Sequence, residues 1–380
     1  LWQSERDGWR HLYHYERDGT LRRRVTSGGW EFRGILRVDE SAGHVYFNAR
    51  RDTVLENHVY RVGLGGGPIT RLTEPGFSHR VRLAPTCRMM IDTYSSIDTP
   101  PRVALRDVTG TLIRVISENE VPALAAYRRS PPEFVRVPTS RGYSLNGALI
   151  RPPHRRWWKR YPVMVFTYAG PHGPIVHNRW EGRHDAFKQL LAQQGILVWT
   201  VDPHAASGEG AVSAWHSYKR LGVTELADLE DSLRWLARHA QADLSRVGIQ
   251  GGSYGGFMTA FALTHSDMFS LGIAVSSVTD WRNYDSIYTE AFMLTPEHNP
   301  EGYAASSVTA AADRLHGRLL LVHGALDDNV HLQNAMQLMD ALQRAGKSFD
   351  AIVYPRDDHG VWRYRNHWPR RRYEFIVNNL

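Results

Sequence analysis

The sequence predicts an α/β protein, a mostly parallel, doubly wound sheet preceded by the last blades of a β-propeller. Three observations lead there. Before residue 120, segments of alternating residues about a glycine turn recur at intervals of 44 to 47 residues. From residue 161 onward, compact apolar runs alternate with helical patterns, the signature of a sheet covered on both faces. At 246–257, RVGIQGGSYGGF, a short apolar strand enters a glycine-rich turn that holds one serine, and a helical pattern follows at once.

Length and composition set the bounds. The 380 residues leave room for a large and a smaller domain. No apolar run reaches the eighteen or so residues of a membrane span, so no membrane contact is expected within this chain. The net charge is +7, with short basic clusters at Arg22-Arg23-Arg24, Arg155-Arg156 and Arg370-Arg371-Arg372. Scattered in this way they read as solvated surface, and no nucleic-acid partner is expected. The single cysteine, Cys87, excludes an intrachain disulfide. No clustered His/Cys/Glu pattern calls for a metal, and no cofactor is expected. The chain starts at Leu1 without a charged-then-apolar leader, which reads as a sequence truncated at its N-terminus.

The first 120 residues carry the repeat. HLYHYERDGTLRRRVT (11–26), HVYRVGLGGGPITRLT (58–73) and RVALRDVTGTLIRVIS (102–117) each read as strand, glycine turn, strand. A further strand-like stretch precedes each unit, for example HVYFNAR (44–50) and RMMIDTY (88–94). Repeats of this length built from strands are propeller blades. A closed propeller needs about four to eight blades, and two and a half to three are present, as truncation would leave. The boundary is set at 131/132, in a linker ended by Pro131-Pro132.

The second domain, 132–380, opens with a hairpin at 134–153. Strands are expected at 161–168, 196–202, 247–249, 271–275, 318–324 and 351–355. Helices are expected at 185–194, 225–240 (inward face Leu226, Leu229, Leu233, Leu236), 331–346 (inward face Leu332, Ala335, Met336, Met339, Leu342) and 367–379.

The serine turn is Gly251-Gly252-Ser253-Tyr254-Gly255, a G-x-S-x-G motif between strand and helix. The setting strains the serine backbone and exposes its hydroxyl, and side chains at Gly251 or Gly255 would block the reversal. Ser253 is therefore the expected nucleophile. A serine needs a base, and the base an orienting carboxylate. In the α/β-hydrolase arrangement these follow in the order Ser, Asp or Glu, His, from loops at the carboxyl ends of strands. His359 is the one histidine directly after a late strand, while Asp327 and Asp328 both follow the strand at 318–324. Spacing does not separate those two aspartates, and Asp357 and Asp358 read as loop or surface charges. The backbone N–H of Tyr254 is the expected oxyanion donor. Tyr168, at the end of the 161–168 strand, offers a hydroxyl as the second, although a tyrosine there is more often a packed ring.

The stretches YAGP (168–171), GGSYGGF (251–257), DWRNYDSIYTE (280–290), HGALDDNVHLQNA (323–335) and DHG (358–360) resemble the prolyl oligopeptidase family of serine peptidases, in particular its dipeptidyl peptidase IV branch and the bacterial members of it. The resemblance spans the chain, since those enzymes place a propeller before an α/β-hydrolase domain. It implies a triad of Ser253, Asp327 and His359 and an oxyanion site of Tyr168 and Tyr254. It also implies a proline-sized slot lined by Tyr254, Val278, Trp281, Tyr284, Tyr288 and Val330, with Asn329 at its edge. Periodicity alone would make Trp281, Tyr284 and Tyr288 one helix face in the core. The implied activity is hydrolysis after Pro or Ala of a peptide substrate, with release of N-terminal dipeptides. Acylaminoacyl peptidase, oligopeptidase or esterase action on the same scaffold, or a non-catalytic propeller binding protein, are the alternatives. A homodimer and a periplasmic or extracellular site are further implications.

Two departures stand out. The family's Asp-x-Arg-Gly-Ser/Thr-like loop is replaced by Asp202-Pro203-His204-Ala205-Ala206-Ser207-Gly208, which lacks the arginine. The family's glutamates that hold a substrate's free amino terminus lie upstream of these residues.

Overall fold

A computed structural model describes residues 1–380. The chain divides into two compact units. The first comprises Leu1–Arg129 with Val176–Ala186 and Gly208–Ser213; the second comprises the remainder, from Ser130.

The first unit is built from three small antiparallel sheets. Strands Trp2–Ser4, His11–Tyr15 and Leu21–Arg24 form a three-stranded sheet. Glu31–Asp39, His44–Arg50, His58–Gly63 and Thr70–Arg71 form a four-stranded one, in chain order. Ser78–Leu83, Met89–Ser95, Arg102–Asp107 and Leu112–Ser117 form another. These are successive propeller blades. The repeat seen in the sequence has a physical basis in its first and last residues. His11 Nδ1 meets Thr26 Oγ1 at 3.2 Å, and the Leu12 N–H donates to the same hydroxyl. One unit later His58 Nδ1 meets Thr73 Oγ1 at 3.0 Å, and the Val59 N–H donates to it. All four side chains are buried. The third unit begins with Arg102 and lacks this pair; its sheet holds instead a buried cluster in which Asp92 accepts from His79 and Arg106.

The second unit is one eight-stranded sheet, its strands labelled in chain order: β1 Glu133–Pro138, β2 Ser144–Ile150, β3 Tyr161–Phe166, β4 Leu197–Asp202, β5 Ala242–Gly252, β6 Leu271–Val275, β7 Arg318–Gly324 and β8 Asp350–Tyr354. Their spatial order is β1-β2-β4-β3-β5-β6-β7-β8. β2 alone runs against the rest. β3, β4 and β6 are buried along their whole length, which is why they read as nearly continuous apolar runs, broken in β4 only by the buried Thr200 and Asp202.

Helices cover both faces. The helices of the chain are α1 Arg183–Gln193, α2 Ala211–Trp215, α3 Val223–His239, α4 Tyr254–His265, α5 Ser286–Met293, α6 Pro300–Ala305, α7 Gln333–Arg344 and α8 His367–Asn379. One core joins the sheet to α3, α4 and α7 through Leu229, Leu233, Phe257, Phe261, Leu338 and Leu342. The other joins it to α1 and α8 through Leu191, Ala192, Phe375 and Ile376. Residues 254–264 of α4 are buried on every side, as expected of a central helix that carries no amphipathic stripe.

The inward face of α7 departs from the sequence reading. Met336 is 53% exposed, and Asn334 and Leu338 turn inward instead. Asn334 Oδ1 accepts from the Thr279 N–H at 3.1 Å, and the Thr279 hydroxyl donates to the Asn334 carbonyl at 2.8 Å. A buried amide with its partners satisfied sits in a core position that apolar periodicity passes over.

Candidate active site

The serine lies where β5 meets α4. Ser253 has φ 59° and ψ −120°, a backbone state that side-chain-bearing residues rarely adopt. What permits the turn is missing bulk on either side of it. A Cβ at Gly251 would lie 2.5 Å from the Gly255 carbonyl and from Thr167 O, and one at Gly255 would lie 2.5 Å from Thr167 O. The Ser253 N–H donates to Val275 O at 2.9 Å, which ties the elbow to the end of β6. The Tyr254 N–H belongs to the first turn of α4, where a helix has no internal acceptor to offer.

Tyr168 follows β3, and its phenol faces the Ser253 side chain. Burial raises the pKa of that phenol, and the neighbouring Ser253 side chain acts the other way. Its ring packs so closely on Gly170 and Gly173 that a Cβ at either would come within 2.7 Å of it.

Asp327 and His359 leave the carboxyl ends of β7 and β8. His359 Nδ1 donates to Asp327 Oδ2 at 2.8 Å. Asp327 Oδ1 accepts the N–H groups of Asn329 and Val330 at 3.0 and 2.9 Å. Desolvation alone would raise the Asp327 carboxyl, but hydrogen bonds from His323 and His359, the charge of His359 and the Val330 N–H outweigh it and hold the group well below the usual carboxylate range. Asp327 is buried and Asp328 exposed, so geometry separates the two residues that spacing left equivalent. The Ser276 hydroxyl donates to the His359 carbonyl at 2.9 Å. Because Val275 O holds Ser253 and Ser276 Oγ holds His359, consecutive residues at the end of β6 position both.

The aromatic residues expected to form a slot come together. Trp281 lies 5.3 Å from Tyr254, 6.0 Å from Tyr284 and 6.0 Å from Tyr288, centroid to centroid, and Tyr284 and Tyr288 meet edge to face. Val278, Trp281, Val330 and Tyr254 are buried. The Tyr284 hydroxyl donates to Asn329 Oδ1 at 2.8 Å, and Asn329 itself is exposed. Burial pushes the Tyr254 and Tyr288 phenols far up, the mark of a dry, low-dielectric wall. These rings do not share one helix face. Trp281–Asn283 is a single 3-10 turn, Tyr284 is extended at φ −115° and ψ 164°, and α5 starts only at Ser286. The i, i+3, i+7 spacing is therefore coincidence.

The loop that departs from the family's pattern is anchored by a carboxylate. Asp228 on α3 is 1% exposed and accepts from the His204 N–H, the Tyr143 hydroxyl and the Arg141 guanidinium at 2.8, 2.8 and 2.5 Å. Tyr143 stacks on His204 with centroids 3.9 Å apart. The His172 N–H in turn donates to Ala205 O at 3.1 Å, so the 202–208 loop supports the segment that follows Tyr168.

Sequence reading missed four residues. Glu225 accepts the Tyr254 hydroxyl, Ser276 holds the histidine loop, and His323 Nε2 sits 2.8 Å from Val330 O and 3.3 Å from Asp327 Oδ2. Asp357, read as a loop or surface charge, is buried and accepts the Arg363 N–H, because the chain turns back over it after β8. His323 had a signal available, as a histidine closing a buried strand has to find a polar partner.

A mostly parallel sheet in this order, with a strained serine on the β5–α4 elbow, defines an α/β-hydrolase. The particular family follows from sequence: the family model described as the prolyl oligopeptidase family matches residues 184–380, and that of the dipeptidyl peptidase IV N-terminal region matches residues 1–101. The chain belongs to the prolyl oligopeptidase family. It is 35% identical over 357 residues to human dipeptidyl peptidase 8, covering 89% of this chain and 39% of that protein. The crystal structure of Porphyromonas gingivalis dipeptidyl peptidase 4 superposes with a TM-score of 0.94 at 34% identity, over 100% of this chain and 54% of that one. The chain thus spans about two fifths of the human relative and about half of the bacterial one.

Proposed function

We propose that this chain carries the catalytic domain, residues 132–380, of a serine peptidase that hydrolyses the bond after Pro or Ala and releases N-terminal dipeptides. The observation that carries the reading is the His359 Nδ1–Asp327 Oδ2 bond of 2.8 Å, at the same sheet edge as the strained Ser253 elbow. With Nδ1 engaged, Nε2 is the atom left to act as base. His359 takes the Ser253 proton as Oγ attacks the substrate carbonyl. The Tyr168 hydroxyl and the Tyr254 N–H meet the oxyanion. The intermediate collapses as His359 gives its proton to the leaving amine, leaving an acyl-enzyme. Water, deprotonated by His359, then releases the acid and restores Ser253. The walls of Trp281, Tyr284 and Tyr288 suit a pyrrolidine ring and exclude charged or large side chains. Two copies are proposed to pair, which light scattering during gel filtration checks by reading twice the monomer mass.

Two assays test the reading. A fluorophosphonate should label the wild-type chain and leave Ser253→Ala unlabelled; labelling that survives the substitution removes Ser253 as nucleophile. Hydrolysis of Gly-Pro anilide should exceed that of its N-acetylated counterpart. Equal rates, or a preference for the blocked peptide, would retain the triad and move the protein to an acylaminoacyl peptidase or oligopeptidase activity.

A further inference from the structure

One exposed stretch has no part in this site. HRRWWKRY (154–161) connects β2 to β3, and every residue from His154 to Arg160 is exposed. Trp157 is 84% exposed and Trp158 64%, with their rings edge to face at 5.5 Å. Leaving an indole in water forgoes about 2 kcal/mol or more of burial, and two adjacent ones make a deliberate-looking apolar tip.

The loop is held in shape. The Gln241 side-chain amide donates to the carbonyls of Arg156, Trp157 and Lys159 at 3.1, 2.5 and 3.2 Å. The Arg156 N–H donates to the Tyr161 hydroxyl, and the Arg160 guanidinium to Ala242 O at 3.2 Å. A frame satisfied by side chains fixes the backbone while both indoles point away from the core. Arg155, Arg156, Lys159 and Arg160 surround them, and none is paired with a carboxylate; the nearby Asp243 is taken by Arg246. Arg156 lies over the Trp158 ring at 5.8 Å, so charge and apolar surface form one patch.

We infer that the 154–161 loop docks this domain on an anionic lipid surface, with Trp157 and Trp158 in the interfacial layer and the four cations against lipid phosphates. A bilayer supplies both complements at once: indoles concentrate at headgroup level, and each cation near an anionic surface contributes about 1 kcal/mol. Surface docking needs no spanning segment, and no helix is long and apolar enough to cross a membrane. The loop enters β3 at its amino end, whereas Ser253, Asp327 and His359 follow the carboxyl ends of β5, β7 and β8. Docking therefore leaves the catalytic edge turned away from the lipid.

Co-sedimentation of the 380-residue chain with vesicles of phosphatidylcholine and phosphatidylglycerol, against phosphatidylcholine alone, tests this at low and high salt. Binding should require phosphatidylglycerol and weaken with salt. Trp157→Ala/Trp158→Ala, which leaves every charge in place, should reduce partitioning roughly tenfold or more. Arg155→Gln/Arg156→Gln should reduce it to a similar extent, with thermal midpoints unchanged in both variants. Binding by the double tryptophan variant equal to wild type would overturn the inference, since net charge alone would then explain it. So would indifference to phosphatidylglycerol, or capture of a single-stranded oligonucleotide through these residues by a chain that ignores vesicles.

Discussion

The Tyr254 hydroxyl donates to Glu225 Oε1 at 2.6 Å, joining the start of α3 to the residue that follows the serine. Glu225 is wholly buried, and its other oxygen accepts the Thr224 hydroxyl at 2.9 Å. Glu225→Gln keeps an acceptor for Tyr254 and should leave kcat and KM for Gly-Pro anilide nearly unchanged. Glu225→Ala strands a buried hydroxyl, at a cost of about 1–3 kcal/mol in stability, and should raise KM as the slot wall loosens.

The same carboxyl gives a pH signature. Burial raises it above the ordinary glutamate value of 4.5, against the bonds from Tyr254 and Thr224. The unfolded chain therefore releases this proton first, so the contribution is fully present below pH 4.5 and is lost as pH rises toward the folded-state pKa. Urea unfolding across that range should show Glu225→Gln gaining on wild type as pH rises. A constant difference between the two would contradict it.

Asp327 has the opposite sign. Its folded-state pKa lies below the ordinary 3.8, so its stabilisation is present above that value and is lost as pH falls further. Asp327→Asn should flatten the acid limb of stability and lower kcat by about 10³- to 10⁴-fold, through a misoriented imidazole. Acid titration followed by circular dichroism, beside steady-state rates, reads both.

Tyr168→Phe removes one hydroxyl and keeps the ring on Gly170 and Gly173. The expected loss is about 10²- to 10³-fold in kcat with KM little altered. An equal loss in 1/KM with kcat preserved would make the phenol a binding group instead.

Arg141→Met leaves the buried Asp228 short of one donor, and a loss of about 1–3 kcal/mol in stability is expected. Tyr143→Phe removes a second donor from the same oxygen, and the double variant should depart from additivity by more than about 0.5 kcal/mol. Chemical denaturation of the four proteins measures that coupling.

The parts legible in the sequence are those where local pattern and tertiary role agree. β3, β4 and β6 are buried on both faces, so each is a nearly continuous apolar run; the Ser253 turn needs glycines at fixed offsets and so announces itself. Glu225 and Asn334 were hidden because burial of a polar side chain depends on a partner brought from elsewhere in the chain. Tyr254 is 29 residues from Glu225 and Thr279 is 55 from Asn334, distances over which no periodicity carries information. The slot shows the reverse error. Trp281, Tyr284 and Tyr288 have helical spacing, yet the Asp280 and Asp285 side chains cap two separate short turns and break the run between them.

In the first two blades, the histidine that opens each repeat meets the threonine that ends it, fifteen residues on. The fastening thus lies inside the stretch of chain it fastens. A gene segment encoding one such repeat, copied in tandem, would bring its own clasp with it, and a new blade would need no compensating change in its neighbours to close. The third repeat opens with Arg102 and has no such pair, and its sheet is held instead by the charged cluster around Asp92.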